Sequence, residues 1–171
     1  MKNIVLIGFM GVGKGSVARE VIKNSEYIAI DTDDIIESME NRKIKKIFEQ
    51  DGEEYFRKLE KSISLWLQSS VQNTLISTGG GFYKVENLKK IGTIVLLDSP
   101  FDEIIRRIKE HPNAQKKLKK RPLLSDLQKA KELYELRRPE YLALADEIVD
   151  VTHKSALECA KELLTKVKKH A

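Results

Sequence analysis

The chain has 171 residues, the length of one ordinary domain, and its 41% hydrophobic and 33% charged content suits a packed globule rather than a disordered tail. Lys and Arg outnumber Asp and Glu by 31 to 26, a net charge of +5 that favours anionic partners such as nucleotides but does not by itself indicate nucleic acid. The single cysteine, Cys159, excludes an internal disulfide and fits a reducing cytoplasm.

Residues 4–13 form the longest apolar stretch, too short for the roughly 20 residues of a membrane helix. Glycines interrupt it, Lys14 ends it and no small-residue cleavage site follows, so it reads as neither a membrane anchor nor a signal peptide. Within it, Ile4-Val5-Leu6-Ile7 is a buried-strand pattern, and Gly8-Phe9-Met10-Gly11-Val12-Gly13-Lys14 leads into a helix. That is the frame of a phosphate loop, in which the N–H groups around Gly11, Val12 and Gly13 cradle a β-phosphate and Lys14 reaches the outer phosphates. The next position normally carries the hydroxyl that ligates magnesium. Here it is Gly15, and Ser16 follows one helical step, about 100°, further round. Water in that place, a distorted approach by Ser16, or a weaker metal site are the alternatives left open.

A second strand, residues 27–30, ends in Asp31-Thr32-Asp33-Asp34. If the extended backbone continues, Asp31 and Asp33 point to one side of the sheet, towards the ligand crevice. One carboxylate suits a metal held through water and the other suits accepting a hydroxyl proton. Capping of a helix starting near Ile35 uses one acid but not three. Phe56, Leu59, Ile63 and Leu67 then recur at helical spacing, with Phe56 and Trp66 expected in the core and Arg57 flanked by Glu53 and Glu60 at ion-pair spacing. A third strand around Leu75-Ile76-Ser77 runs into Gly79-Gly80-Gly81. Seven of the nine glycines lie in the two strand-end clusters, which points to one site fed by both.

Residues 93–97 and 147–151 complete the strand candidates, and continuous apolar runs of this kind suit a parallel sheet buried on both faces. Between Arg106 and Arg121 stand eight Lys or Arg and one acid, Glu110. Its part from Lys109 to Arg121, with Pro112 and Pro122, reads as a mobile excursion rather than a domain boundary. The chain lacks the aromatic content and signatures of a nucleic-acid binder. Leu127, Ala130, Tyr134, Tyr141 and Leu144 form another helical stripe that also carries Arg137, a charge that on an apolar face demands an anionic ligand or a buried acid. Ala156, Ala160, Leu163, Leu164 and Val167 form a last helix, with Cys159 packed inward. His111, His153 and His170 have no metal-site spacing and read as surface residues.

The ordered set of residues 8–14, Asp31-Thr32-Asp33, Asp51-Gly52-Glu53 with Phe56-Arg57, Ser77-Thr78-Gly79-Gly80-Gly81, Arg121-Pro122-Leu123-Leu124, and Arg137 four before Tyr141 resembles shikimate kinase across nearly the whole chain. The resemblance implies one α/β domain over residues 1–171: five parallel strands flanked by helices, a phosphate-loop kinase of the nucleoside monophosphate kinase type. A substrate-binding section would cover about 31–61 and a mobile lid about 109–124. It implies transfer from MgATP to the 3-hydroxyl of shikimate in aromatic amino-acid biosynthesis, by a cytoplasmic monomer with no nucleic-acid or membrane partner. Asp33, Lys14 and Arg121 would be catalytic; Gly11, Val12, Gly13, Lys14, Gly15, Ser16, Arg107 and Arg121 would hold the nucleotide. Asp33, Arg57, Gly79, Gly80, Gly81 and Arg137 would bind shikimate, and Asp31 through water, with Ser16, would serve magnesium. The competing readings are a non-catalytic or weakly active homologue, which Gly15 would explain, and another small-metabolite kinase of the same fold.

Overall fold

The structure is a computed structural model that describes residues 2–119 and 122–171. Five strands, β1 (Ile4–Ile7), β2 (Ile28–Asp31), β3 (Thr74–Ser77), β4 (Thr93–Asp98) and β5 (Glu147–Asp150), pair in parallel in the order β2-β3-β1-β4-β5. The apolar run after Lys2-Asn3 is thus the central strand, with Ile4 paired to Leu75 on one side and Thr93 on the other. β1 and β3 are buried throughout and β4 up to Asp98. The edge strands depart from the expectation of burial on both faces: Ile28 is 70% exposed, and in β5 only Val149 is buried. An edge strand has one neighbour instead of two, and the flanking helices do not cover it to the same depth.

Helices α1 (Lys14–Lys23), α2 (Thr32–Glu40), α3 (Ile44–Ser70), α4 (Leu88–Ile91), α5 (Phe101–Glu110), α6 (Ala114–Lys119), α7 (Leu127–Leu144) and α8 (Ala156–Val167) join the strands. None of the described helices is long and apolar enough to cross a membrane. α2 starts at Thr32, not near Ile35, because the Asp31 carboxylate accepts hydrogen bonds from the Asp33 and Asp34 N–H groups at 2.9 and 3.2 Å and caps the helix. The expected excursion after Lys109 is largely helical: α5 runs through Glu110, and α6 follows from Ala114 in good helix formers. α3 breaks at Gly52, whose φ of +80° favours glycine although a Cβ there would meet no atom within 4 Å. Beyond the break Phe56, Ile63 and Leu67 enter the core as expected. Trp66 does not; it lies beside that stripe and is 47% exposed, and Leu127, in the first turn of α7, is also exposed.

The end of the sheet away from the glycine loops is tied by one side chain. Asn3 Nδ2 donates to the carbonyls of Val71 and Ile91 (2.8 and 3.1 Å), and its Oδ1 accepts from Thr74 N–H at 3.1 Å, so Asn3 joins the approaches to β3 and β4 to β1. Asn3→Ala strands these buried backbone groups, each costing about 1–3 kcal/mol. The urea midpoint should fall by an amount equivalent to about 2–4 kcal/mol with no change in the slope of the transition; an unchanged midpoint would show that the three bonds contribute nothing net.

Candidate active site

Strand and helix meet at the phosphate loop in a way set by its glycines. Gly11 and Gly13 have φ of +83° and +107°, and Gly13 caps α1, so the first amides of α1, which have no carbonyl within the helix to bond, face the loop. Lys14 Nζ donates across the loop to the carbonyls of Gly8 (2.6 Å) and Phe9 (3.3 Å). The loop forms one wall of a cavity of about 430 Å3; Asp31, Asp33, Thr78, Gly79 and Gly80 form another, so the two glycine clusters do feed one site.

The second cluster is fastened on three sides. Thr78 Oγ1 donates to the Leu6 carbonyl in β1 at 2.7 Å, Gly79 N–H donates to Thr32 Oγ1 at 3.2 Å, and Tyr141 Oη donates to the Gly80 carbonyl at 2.6 Å. Each of the three glycines lies under a different charged group. A Cβ on Gly79 would stand 2.6 Å from Asp33 Oδ1, one on Gly80 2.8 Å from Arg137 Nη1, and one on Gly81 2.6 Å from both terminal nitrogens of Arg57. Glycine is required here for close approach, and it gathers the carboxylate and both arginines on one ribbon of backbone.

These groups are incompletely partnered. Among the described residues the buried side-chain polar atoms with no hydrogen-bond partner are Asp33 Oδ1, Glu60 Oε1 and Arg137 Nε. Arg137 is 9% exposed and Glu60 2%. Arg57 pairs with Glu60 at 2.6 Å and with exposed Glu53 at 3.1 Å. Burial pushes the Asp33 carboxyl up to about 7, the charges of Asp31 and Glu60 push the same way, and Lys14 opposes them. Burial also raises the Glu60 carboxyl, against the pull of Arg57 and Arg137. Glu60 enters the sequence reading only as a neighbour of Arg57. Its signal was available: it lies four residues after Phe56 and three before Ile63, a carboxylate on an apolar stripe.

The remaining sequence-predicted residues separate cleanly. Asp31 and Asp33 both line the cavity although extended backbone stops at Asp31, where the cap begins α2. Arg138, next to Arg137, points elsewhere and forms a paired contact with Asp98 at 3.0 and 2.8 Å. Arg107 lines the cavity beside Gly13, whereas Arg106 is held on the surface by Glu103 and Glu110. Ser16 lines the cavity, and its Oγ accepts from Arg19 at 3.3 Å. Val12 is buried beneath the loop. Arg121 lies outside the described residues. Two histidines are less free than the sequence suggests: His111 lines the cavity, and His170 pairs with Glu147 at 2.9 Å, while His153 is exposed.

The chain matches the family model described as shikimate kinase over residues 10–168. It is 38% identical to a shikimate kinase of Helicobacter hepaticus, over 96% of this chain and 95% of that one, and 42% identical to one of Caldanaerobacter subterraneus subsp. tengcongensis with the same coverage. Its fold superposes on the shikimate kinase of Acinetobacter baumannii in complex with shikimate with a TM-score of 0.86, at 29% identity and covering 99% of this chain and 94% of that one. The shikimate kinase of Aquifex aeolicus gives 0.80 at 35% identity, over 98% and 97%. Sequence, sheet order and cavity lead to the same place, and the chain belongs to the shikimate kinase family.

Proposed function

We propose that the chain holds ATP along the phosphate loop and shikimate against the glycine ribbon, and transfers the γ-phosphoryl group to the 3-hydroxyl to give shikimate 3-phosphate and ADP. ATP-dependent phosphorylation of shikimate follows from its membership of the family. The observation that carries the assignment of residues is the set of three orphaned polar atoms on Asp33, Glu60 and Arg137 around one glycine ribbon. Buried polar groups without partners are expensive, and a ligand bearing both a carboxylate and hydroxyls supplies the partners they lack.

Arg57 and Arg137 take the shikimate carboxylate, to which a guanidinium fork is matched in shape and charge. Gly79, Gly80 and Gly81 let the ring approach the backbone. Asp33 binds ring hydroxyls and accepts the 3-hydroxyl proton, for which a carboxyl titrating near neutrality is suited. Glu60 holds Arg57 in place. The amides around Gly11, Val12, Gly13 and Gly15 cradle the phosphates, Lys14 neutralises them, and Arg107 lies towards the base. We assign Arg121, outside the described residues, to the phosphates, and residues 109–124 to a lid that excludes water on closing. The activity we assign to a monomer, a single unit over 1–171 with a substrate section at 31–61.

The residues present suit magnesium. Such an ion keeps several waters and needs only one or two protein oxygens beside the phosphates, and the cavity offers the Asp31 carboxylate, with the Ser16 hydroxyl one helical step from the position that lacks one. Bound there, the ion would supply charge neutralisation on the transferring group. Rate acceleration from the protein itself comes from positioning and electrostatics.

ADP release from ATP and magnesium, measured with and without shikimate, tests the reading. Release that depends on shikimate is the expected outcome; shikimate binding without turnover would identify a silent homologue, and neither binding nor turnover would refute the substrate. Gly81→Ala forces the Arg57 guanidinium aside and should raise the KM for shikimate, lowering kcat/KM about 100-fold while the KM for ATP stays unchanged.

Catalysis needs Asp33 deprotonated, so kcat/KM for shikimate should rise with pH through about 7 and be lost below it. The folded-state carboxyl titrates above its unfolded value, so its contribution to stability is full at acid pH and fades as pH rises through about 7. Asp33→Asn should therefore remove turnover yet melt a few degrees above the wild type at pH 8, the gap closing towards pH 4. Equal melting temperatures at pH 8 would show that the carboxylate is not strained by burial.

A further inference from the structure

We propose that Arg19 is a phosphate-binding residue of this kinase, reaching the outer phosphates of the nucleotide across the place where a side chain at position 15 would stand. The proposal rests on the ATP reading above and assigns a contact that the phosphate-loop frame does not contain.

The geometry begins with what Gly15 leaves open. Gly15 is helical and exposed, so nothing in its backbone requires glycine, and a Cβ built there meets Arg19 Nη1 at 3.6 Å, an ordinary contact. Side chains on a helix lean towards its N-terminus, so Arg19, one turn further along α1, lies back over positions 15 and 16 at the mouth of the loop. Its Nη2 donates to Ser16 Oγ at 3.3 Å. The side chain lines the same cavity as Gly13, Lys14 and Asp31.

A second observation concerns the arginines as a group. Arg42, Arg57, Arg106 and Arg138 each hold a carboxylate in an ion pair. The described arginines that form no ion pair are Arg19, Arg107 and Arg137, and each of these stands at the ligand-binding crevice. Arg107 and Arg137 are accounted for by the base and the shikimate carboxylate. Arg19 faces the remaining anion, the phosphate chain, for which a guanidinium presents paired donors. A cation anchored on α1 then offsets phosphate charge that a hydroxyl at position 15 would leave to a metal ion, so nucleotide binding by this chain depends less on magnesium.

Calorimetric titration of the full chain with ADP, in EDTA and in magnesium, tests this. Arg19→Gln should weaken ADP binding in EDTA about tenfold, the scale of one lost charge-assisted hydrogen bond, with Arg19→Lys recovering part of the loss. Shikimate affinity, which depends on Asp33, Arg57 and Arg137, should not change. A Cβ at position 15 would touch the Arg19 guanidinium at 3.6 Å and a hydroxyl on it can hydrogen-bond that guanidinium in place of phosphate, so Arg19→Gln should have a smaller effect in a Gly15→Ser background than in the wild type. Unchanged ADP affinity in EDTA on Arg19→Gln would overturn the proposal, as would an equal loss of shikimate affinity, which would mark a purely structural role. Failure of the unmodified chain to bind ADP in any condition would overturn the ATP reading together with this one.

Discussion

Charged side chains brought against bare backbone, with water largely removed, are the constraint around which the substrate half of the molecule is built. Asp33, Arg137 and Arg57 approach Gly79, Gly80 and Gly81 closely enough that no Cβ could stand at those positions without displacing them. The arrangement is not internally balanced: an oxygen of Asp33, an oxygen of Glu60 and a nitrogen of Arg137 remain without partners. A fold optimised only for stability would avoid this, because an orphaned buried polar atom costs about 1–3 kcal/mol. In the proposed reading a polar, anionic substrate supplies the missing partners, while burial and the neighbouring charges of Asp31 and Glu60 push the Asp33 carboxyl up to about 7, where it can exchange a proton.

Holding such groups together requires rigidity nearby. The ribbon that carries the three glycines continues β3, and it is pinned to β1 by Thr78, to the start of α2 by Thr32 and to α7 by Tyr141. β1 lies between β3 and β4, so the phosphate loop at its end is flanked by the glycine ribbon on one side and by α5, with Arg107, on the other. Asn3 secures the opposite end of the same strands. α3 contributes through its break: the turn at Gly52 separates a first segment, joined to α2 by Ile44 N–H on Glu37, from a second that carries Arg57 and Glu60 over the ribbon.

The nucleotide half follows a different logic. Its glycines serve backbone conformation, with positive φ at Gly11 and Gly13, which turns the loop amides towards the cavity beside the cationic side chains that line it. Gly15 alone among the loop's later glycines needs neither a left-handed backbone nor room beside a backbone neighbour. The missing hydroxyl is therefore a chemical change in an otherwise intact loop, and Lys14, Arg19 and Arg107 line the cavity beside it as the cationic wall that the proposed reading sets against the phosphates.

Much of this was legible in the residues themselves. Short apolar runs marked all five strands, and those leading into glycine or aspartate also marked the crevice end, because such a run commits the chain to a buried parallel sheet and its polar end to the crevice. Arg137 could be separated from Arg138 by the face it shares with Tyr141. The same reasoning, applied to Glu60, would have found the acid between the two arginines. What the sequence could not supply was the outcome of competitions between neighbours distant in the chain. Whether Trp66 is buried depends on how far the adjacent layer extends, and whether Asp31 prolongs a strand or caps a helix depends on where the following helix docks. By itself the sequence determined the family, the parallel sheet and the identity of the charged residues, since these follow from periodicity and motif order. Only the tertiary structure decided which charges keep a partner and which are left open for a ligand, because that balance depends on distances between segments up to about a hundred residues apart, as Asp33 and Arg137 are.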